Sequence, residues 1–227
     1  MELRVVGEDA IMLYLGSEPG PALAARIQSA CRAVEQALGA DLIDLVPSYA
    51  SVLIVYDPLR IDHLSALRRV RGALQGLGDA RASDSVRTVV LPVYYAPEAG
   101  ADLEALAARA GLSVQQVIDL HSATSYRVYA IGFAPGFAYL GQVDERIAAP
   151  RLATPRPRVP RGAVAIADRQ TAVYPAASPG GWNLIGRCPT RMFDPRAEPT
   201  MPVGVGDEVR FEPIDRERFL ALGGELS

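Results

Sequence analysis

The stretch IGFAPGFAYLGQVDERIAAPRLATPRPRVPRGAVAIADRQTAVYPAASPGGWNLIGR runs from Ile131 to Arg187 and collects much of the chain's glycine, proline and arginine. Within it, apolar runs at Ala163–Ala167, Thr171–Tyr174 and Trp182–Arg187 are separated by turn-forming residues, which is the mark of strands. Glycine permits positive φ and close backbone approach, whereas proline fixes φ and removes a donor. The combination predicts loops held in rigid shapes on a β scaffold, where binding sites are commonly built. Short strands punctuated in this way favour a closed or nearly closed barrel, which leaves no sheet edge exposed.

The pattern extends outward on both sides. Arg127–Phe133 and Glu208–Pro213 read as further strands, the last preceded by the turn Val203-Gly204-Val205-Gly206-Asp207. Upstream, Arg87–Tyr95 reads as a strand, then Ala101–Ala110 and Ser113–Leu120 as helices. Ser113 and Gln116 stand at capping-box spacing and mark the second helix start.

The first third of the chain has a different rhythm. Leu3–Val6 and Ala10–Leu15 flank Gly7-Glu8-Asp9 and predict a hairpin. Pro19-Gly20-Pro21 opens a helix to Leu38, with Leu23, Ile27, Ala30, Val34 and Leu38 on one face and Gly39 as its stop. Leu42–Val46 and Val52–Tyr56 are strands rich in branched residues. A second helix is predicted from Ile61 to Leu77, with Ile61, Leu64, Leu67, Val70, Leu74 and Leu77 on its stripe. The order β-β-α-β-β-α describes two helices covering one sheet face. The small, polar segment from Gly76 to Ser85 separates the halves. The fold class is therefore α+β, a small N-terminal α/β sandwich domain at 1–82 followed by a β-barrel domain at 83–227.

Bulk composition narrows the function classes. The chain has 227 residues, 49% hydrophobic and 22% charged, enough to bury a core. A net charge of −3 argues against a nucleic-acid binder. The two cysteines, Cys31 and Cys188, and two distant histidines, His63 and His121, suggest neither a disulfide framework nor a metal site. The N-terminus lacks a signal-peptide layout and no apolar run reaches membrane-spanning length, so a cytoplasmic protein is expected.

Four groups of residues carry candidate chemistry. In Gly132–Gly141, three glycines offer backbone N–H groups to an oxyanion or phosphate. Gly132, Phe133, Pro135, Gly136, Phe137 and Tyr139 either touch a ligand or form an aromatic-plugged barrel corner. In Pro150–Gly162, Arg151, Arg156, Arg158 and Arg161 stand among four prolines that include Pro160. Guanidinium forks match carboxylates and phosphates, and Arg156, fixed by Thr154-Pro155, is the foremost candidate. The alternative is a rigid solvated loop. In Ser178–Arg187, Gly180 and Gly181 precede the chain's one tryptophan, Trp182, which either stacks on a planar ligand or closes a barrel end; Arg187 ends the run. His121 closes the helix begun at Ser113, where a helix C-terminus favours imidazolium as a general acid or anion ligand. A histidine bonded to backbone carbonyls is the plainer reading. Gln170, Thr171 and Tyr174 form a polar edge that either orients an amide or serves the barrel's own hydrogen bonding. Arg156→Ala and Gly136→Val are expected to remove activity while leaving the fold intact.

LHSATSYRVYAIGFAPGFAYLG from Leu120, TPRPRVPRGAVAIADRQTAVYPAASPGGWNLIGR from Thr154, and the nearby Phe193-Asp194-Pro195 resemble the KipI/PxpB family. That family includes the B component of bacterial 5-oxoprolinase, is also called allophanate hydrolase subunit 1, and is similar to part of the carboxyltransferase region of urea carboxylase. The resemblance spans essentially the whole chain. It implies that the barrel is cyclophilin-like. It also implies partner chains of the KipA/PxpC and PxpA (LamB/YcsF) types, and ATP with Mg²⁺ for opening 5-oxo-L-proline to L-glutamate. A sensor histidine kinase inhibitor and an allophanate hydrolase or carboxyltransferase component are the alternative roles it implies. The chain carries no complete set of nucleophile, base and acid, so its site is expected to be shared with a partner and its isolated activity low.

Overall fold

Residues 1–17, 20–77 and 86–226 are described by the structure, a computed structural model. The expected boundary at 82/83 lies outside the described residues. By its internal contacts the chain divides into two units, Met1–Ser85 and Val86–Ser227.

In the first unit, period-two burial writes an antiparallel sheet. β1 (Glu2–Val5), β2 (Ala10–Tyr14), β3 (Leu42–Pro47) and β4 (Ser51–Tyr56) lie in the order β1-β2-β4-β3. Ile11 and Leu13 of β2 and Val52, Ile54 and Tyr56 of β4 turn to the same buried side. Helix α1 (Pro21–Leu38) buries Ala24, Ile27, Ala30, Val34 and Leu38 and ends at Gly39, whose φ is 55°. Helix α2 (His63–Leu74) begins two residues later than the apolar stripe predicts, because Asp62 accepts the Ser65 amide and caps it. Leu64, expected on the buried stripe, is 70% exposed, and Ala66 takes the inward position. A cap fixes where the helix starts, so an apolar residue in the first turn need not face the core.

The second unit is a closed barrel of β5 (Thr88–Tyr94), β6 (Ser125–Ile131), β7 (Ala138–Gly141), β9 (Ala163–Ala167), β10 (Gln170–Val173), β12 (Asn183–Arg187) and β13 (Glu208–Ile214), ordered β10-β7-β6-β13-β5-β12-β9. The barrel's first and last strands, β5 and β13, run parallel in register from Thr88↔Glu208 to Tyr94↔Ile214, which joins the two ends of the barrel sequence in one ring. Alternate residues of all seven strands fill the lumen, including Leu91, Val128, Leu140, Ile166, Val173, Ile185 and Phe211. Helices α3 (Leu103–Ala110) and α4 (Val114–Ala123) pack Leu103, Leu106 and Val117 into that same core. The predicted capping box is present: Ser113 Oγ accepts the Gln116 amide and Gln116 Oε1 accepts the Ser113 amide.

Four elements were not legible in the sequence, and one of them is the barrel strand β7, whose residues Ala138–Gly141 read as the end of a glycine loop. β8 (Arg156–Val159) and β11 (Ser178–Gly180) pair antiparallel as a separate two-stranded flap. Their sequences, Arg-Pro-Arg-Val and Ser-Pro-Gly, have almost no strand propensity, and proline is tolerated only because this ribbon has free edges. A short helix α5 (Arg216–Ala221), capped by Asp215, follows the last strand.

Candidate functional site

All of β9 is buried, and its sequence Ala163-Val164-Ala165-Ile166-Ala167 sorts its two faces by size. Val164 and Ile166 enter the lumen, while Ala163, Ala165 and Ala167 join Ala172 and Leu184 on the outer wall. Small side chains there leave room for rings, and Phe137, Tyr174 and Trp182 occupy it. Phe137 is the hub. Its ring centroid lies 4.9 Å from Tyr139, 5.2 Å from Tyr174, 5.3 Å from Phe133 and 5.6 Å from Trp182, every pair edge-on. Such pairs contribute roughly 0.5–1.5 kcal/mol each beyond burial.

At the open end of this aromatic wall Phe133 is 64% exposed and holds φ at 70°. A left-handed conformation in a bulky residue costs on the order of 1–3 kcal/mol and tends to persist where function requires it. The Arg151 guanidinium stands 5.8 Å from the Trp182 ring centroid, within cation–π reach. The wall thus has an exposed ring at Phe133 and a cation over its buried tryptophan.

The flap is clasped to the barrel by an aspartate. Arg156 Nη2 donates to Asp102 Oδ1 at 2.6 Å, and Asp102 Oδ2 accepts the Leu184 amide at 2.7 Å. The Asp102 amide returns a bond to the Leu184 carbonyl at 2.9 Å. Arg156 was expected as a free fork for an anionic ligand; instead it is already paired, and its first task is to position the flap. Leu152 donates its amide to the Gly181 carbonyl at 2.7 Å, which fixes the other side of the same loop.

The glycines serve packing more than anion binding. Gly132 spends its amide on the Phe137 carbonyl at 3.1 Å. Gly136 holds φ at 84°, and a Cβ there would sit 2.5 Å from the Met192 carbonyl oxygen. The expectation that Gly136→Val leaves the fold intact therefore fails on geometry. At Gly180 a Cβ would fall on the Tyr174 hydroxyl, so glycine is what lets the flap close over that ring. Pro135 sits inside the turn that carries Phe133 and Phe137, which the Phe137 amide closes on the Ala134 carbonyl at 3.0 Å.

Strand parity separates residues that the sequence grouped. Gln170 and Tyr174 share the parity of Ala172 and belong to the outer wall, whereas Thr171 turns into the lumen. There Thr171 Oγ1 donates to the Ala165 carbonyl at 3.0 Å, so it accepts from His121 Nε2 at 2.9 Å. His121 Nδ1 in turn accepts the Tyr95 hydroxyl at 2.7 Å, and its ring stacks on Phe211 with centroids 4.6 Å apart. The imidazole is fully buried, and burial pushes its pKa down to about 3. The imidazolium expected at this helix end is thus replaced by a neutral ring with both nitrogens bonded. Tyr174 is raised by burial and takes a hydrogen bond from the Trp182 backbone.

Arg158, Pro160 and Arg187 gather apart from the aromatic wall, with Arg161, Ala177 and Glu225, around a pocket at the foot of the flap. Sequence reasoning missed Asp102 and Asn183. Asn183 Nδ2 donates to the carbonyls of Pro150 at 2.9 Å and Ile166 at 3.0 Å, tying the arginine loop to β9. Asp102 precedes a helix and looks like a cap, yet its side chain makes no capping bond. Nothing local in the sequence distinguishes the two cases.

Comparison with known proteins places this geometry in a family. The family model described as "Carboxyltransferase domain, subdomain C and D" matches residues 1–203. A protein of Bacillus subtilis (strain 168), named as the B component of 5-oxoprolinase, is 36% identical over 234 residues, covering 99% of this chain and 97% of that one. The solved structure of TTHA0988 superposes with a TM-score of 0.80 at 38% identity, covering 94% of this chain, which spans only 40% of TTHA0988. The urea carboxylase of Kluyveromyces lactis shares the fold, with a TM-score of 0.73 at 18% identity over 96% of this chain and 22% of that one. The chain, with its barrel, its aromatic outer wall and its clasped flap, belongs to the family of carboxyltransferase domains, subdomains C and D.

Proposed function

We propose that this chain is the B component of an ATP-dependent 5-oxoprolinase, acting in the cytoplasm with a KipA/PxpC-type and a PxpA-type subunit. The observation that carries the reading is the match, along nearly the full length of both chains, to a protein named as that component of 5-oxoprolinase. The rim of the aromatic wall supports it as the binding surface: the exposed Phe133 and the partly buried Tyr139, backed by the buried Phe137 and Trp182 and by Gly180 and Gly181, offer apolar contact to a small ring, and Arg151 offers a cation to its carboxylate.

The chemistry explains why such a subunit needs companions. A lactam is a resonance-stabilised amide and a poor electrophile. ATP, with Mg²⁺ on its phosphates, supplies a phosphoryl group to the lactam oxygen. Water then adds at the activated carbon, the ring C–N bond breaks with a proton passing to nitrogen, and a second water releases phosphate. Those proton transfers need groups that titrate near neutrality. Here His121 is neutral and sealed, and burial pushes the Cys31 and Cys188 thiols up to about 11. In this reading the chain binds and orients, the acid–base groups come from the other subunits, and the isolated chain is inactive.

The test is reconstitution. The full chain, mixed with KipA/PxpC-type and PxpA-type subunits, 5-oxo-L-proline, ATP and Mg²⁺, should release glutamate in a coupled assay. Omitting any one subunit should abolish release. An assembled mixture that makes no glutamate, or turnover undiminished without this chain, rejects the proposal.

A further inference from the structure

The pocket at the foot of the flap has a volume of about 430 Å³ and is lined by Arg158, Pro160, Arg161, Ala177, Arg187 and Glu225. Its floor is Arg187, which is 7% exposed. Strand pairing of Arg187 with Ala163 and with Tyr94 fixes its backbone in the barrel wall. One of its nitrogens, Nη1, donates to the Arg161 carbonyl at 3.2 Å, and Nε has no partner.

A guanidinium at this depth is ordinarily matched by a carboxylate, because taking a charge out of water without an opposite charge costs several kcal/mol. Among the described residues none forms an ion pair with Arg187. Burial and the charge of Arg161 push its pKa down, against a smaller opposing effect of Glu225. The single acid at the pocket is Glu225, 3.8 Å from Arg161 Nη2 and with a largely exposed side chain. Three guanidinium groups thus face one loosely held carboxylate. An excess of cations concentrated around a cavity, part of it buried, is the arrangement of an oxyanion site, since rigid forks bind phosphate oxygens in pairs.

We infer that this pocket takes the phosphate groups of a polyphosphate, and that Glu225, near the chain's C-terminal end, is an internal carboxylate that the incoming anion displaces. The inference goes beyond the proposed function, because it concerns anion binding by this chain alone. The charge excess favours a polyphosphate over a monocarboxylate such as 5-oxoproline, whose single charge would leave most of it uncompensated.

Calorimetric titration of the full chain with inorganic pyrophosphate at low ionic strength tests it, with 5-oxo-L-proline as the carboxylate arm. Pyrophosphate should bind saturably at one site and weaken as salt is added. Arg158→Ala and Arg161→Ala, both on the pocket's accessible side, should each weaken binding about tenfold, the loss of one charge-assisted bond. Glu225→Gln should tighten it several-fold. Non-saturating heat with pyrophosphate, pyrophosphate affinity unchanged in both arginine variants, or 5-oxo-L-proline binding that weakens in those variants as much as pyrophosphate binding does would overturn the inference. No other subunit enters this experiment, so its failure leaves the oxoprolinase reading standing, and failed reconstitution leaves the pocket standing.

Discussion

Asp102 holds Arg156 with one carboxylate oxygen, at 2.6 Å, and the amide of Leu184 with the other, at 2.7 Å. One side chain thereby joins the start of α3, the flap and the barrel strand β12. Asp102→Ala should remove the clasp and leave Arg156 without its carboxylate, lowering stability by about 1–3 kcal/mol. Denaturant unfolding of the full chain reads this directly. Arg156→Ala should cost a similar amount, and the double variant less than the sum, because both single changes break the same contact. Fully additive losses would show that the clasp is not a unit.

Gly136 stands where its φ of 84° and the Met192 backbone both exclude a side chain. Gly136→Val should lose roughly 2 kcal/mol or more through strain and displaced backbone. The melting temperature should fall with it, before any activity is considered. A variant that melts like the parent would mean that the turn is looser than its geometry indicates.

His121 makes stability depend on pH. Its ordinary pKa is 6.5 and burial holds it at about 3 in the folded chain. Between those values the unfolded chain binds the extra proton, so stability falls as pH drops below 6.5 and is fully present above it. The limiting slope for one group is about 1.4 kcal/mol per pH unit. Unfolding free energies measured from pH 7.5 to pH 4.5 should show this slope, and His121→Gln should remove about one proton's worth of it. An identical pH dependence in that variant would rule out His121 as the source.

Phe133 is the wall's exposed ring and holds a backbone conformation that glycine adopts freely. Phe133→Gly should relieve the backbone while losing the edge-on contact to Phe137, leaving stability within about 1 kcal/mol of the parent. Turnover by the reconstituted subunits should nonetheless fall about tenfold if the ring contacts substrate or partner. Parental turnover would remove Phe133 from the site.

Cys31 and Cys188 should resist alkylation in the native chain at pH 8, because burial raises both thiols to about 11 and the thiolate is the reactive form. Both should react once the chain is unfolded. Rapid native modification of Cys188 would contradict its burial in the barrel core.

Periodicity in the chain carried most of the architecture. The apolar runs of β2, β4 and β9, the stripe of α1 and the capping box at Ser113 are local signals, readable from residues a few positions apart. Short strands interleaved with glycine and proline turns likewise favoured a closed or nearly closed barrel, and the sheet closes. The flap escaped notice because Arg156–Val159 and Ser178–Gly180 are short, carry proline and have almost no strand propensity.

What the site residues do was settled by contacts distant in the chain. The sequence placed His121 at a helix end and Arg156 in a rigid loop, and from those positions a cationic acid and a free fork were reasonable expectations. Their actual partners are Thr171 and Tyr95 for His121 and Asp102 for Arg156. A charge state is set by solvent access and by the nearest opposite charge, and both are properties of the folded surroundings. The same holds for Arg187, whose identity was plain in the sequence but whose missing counter-charge appears only once β12 is closed into the barrel.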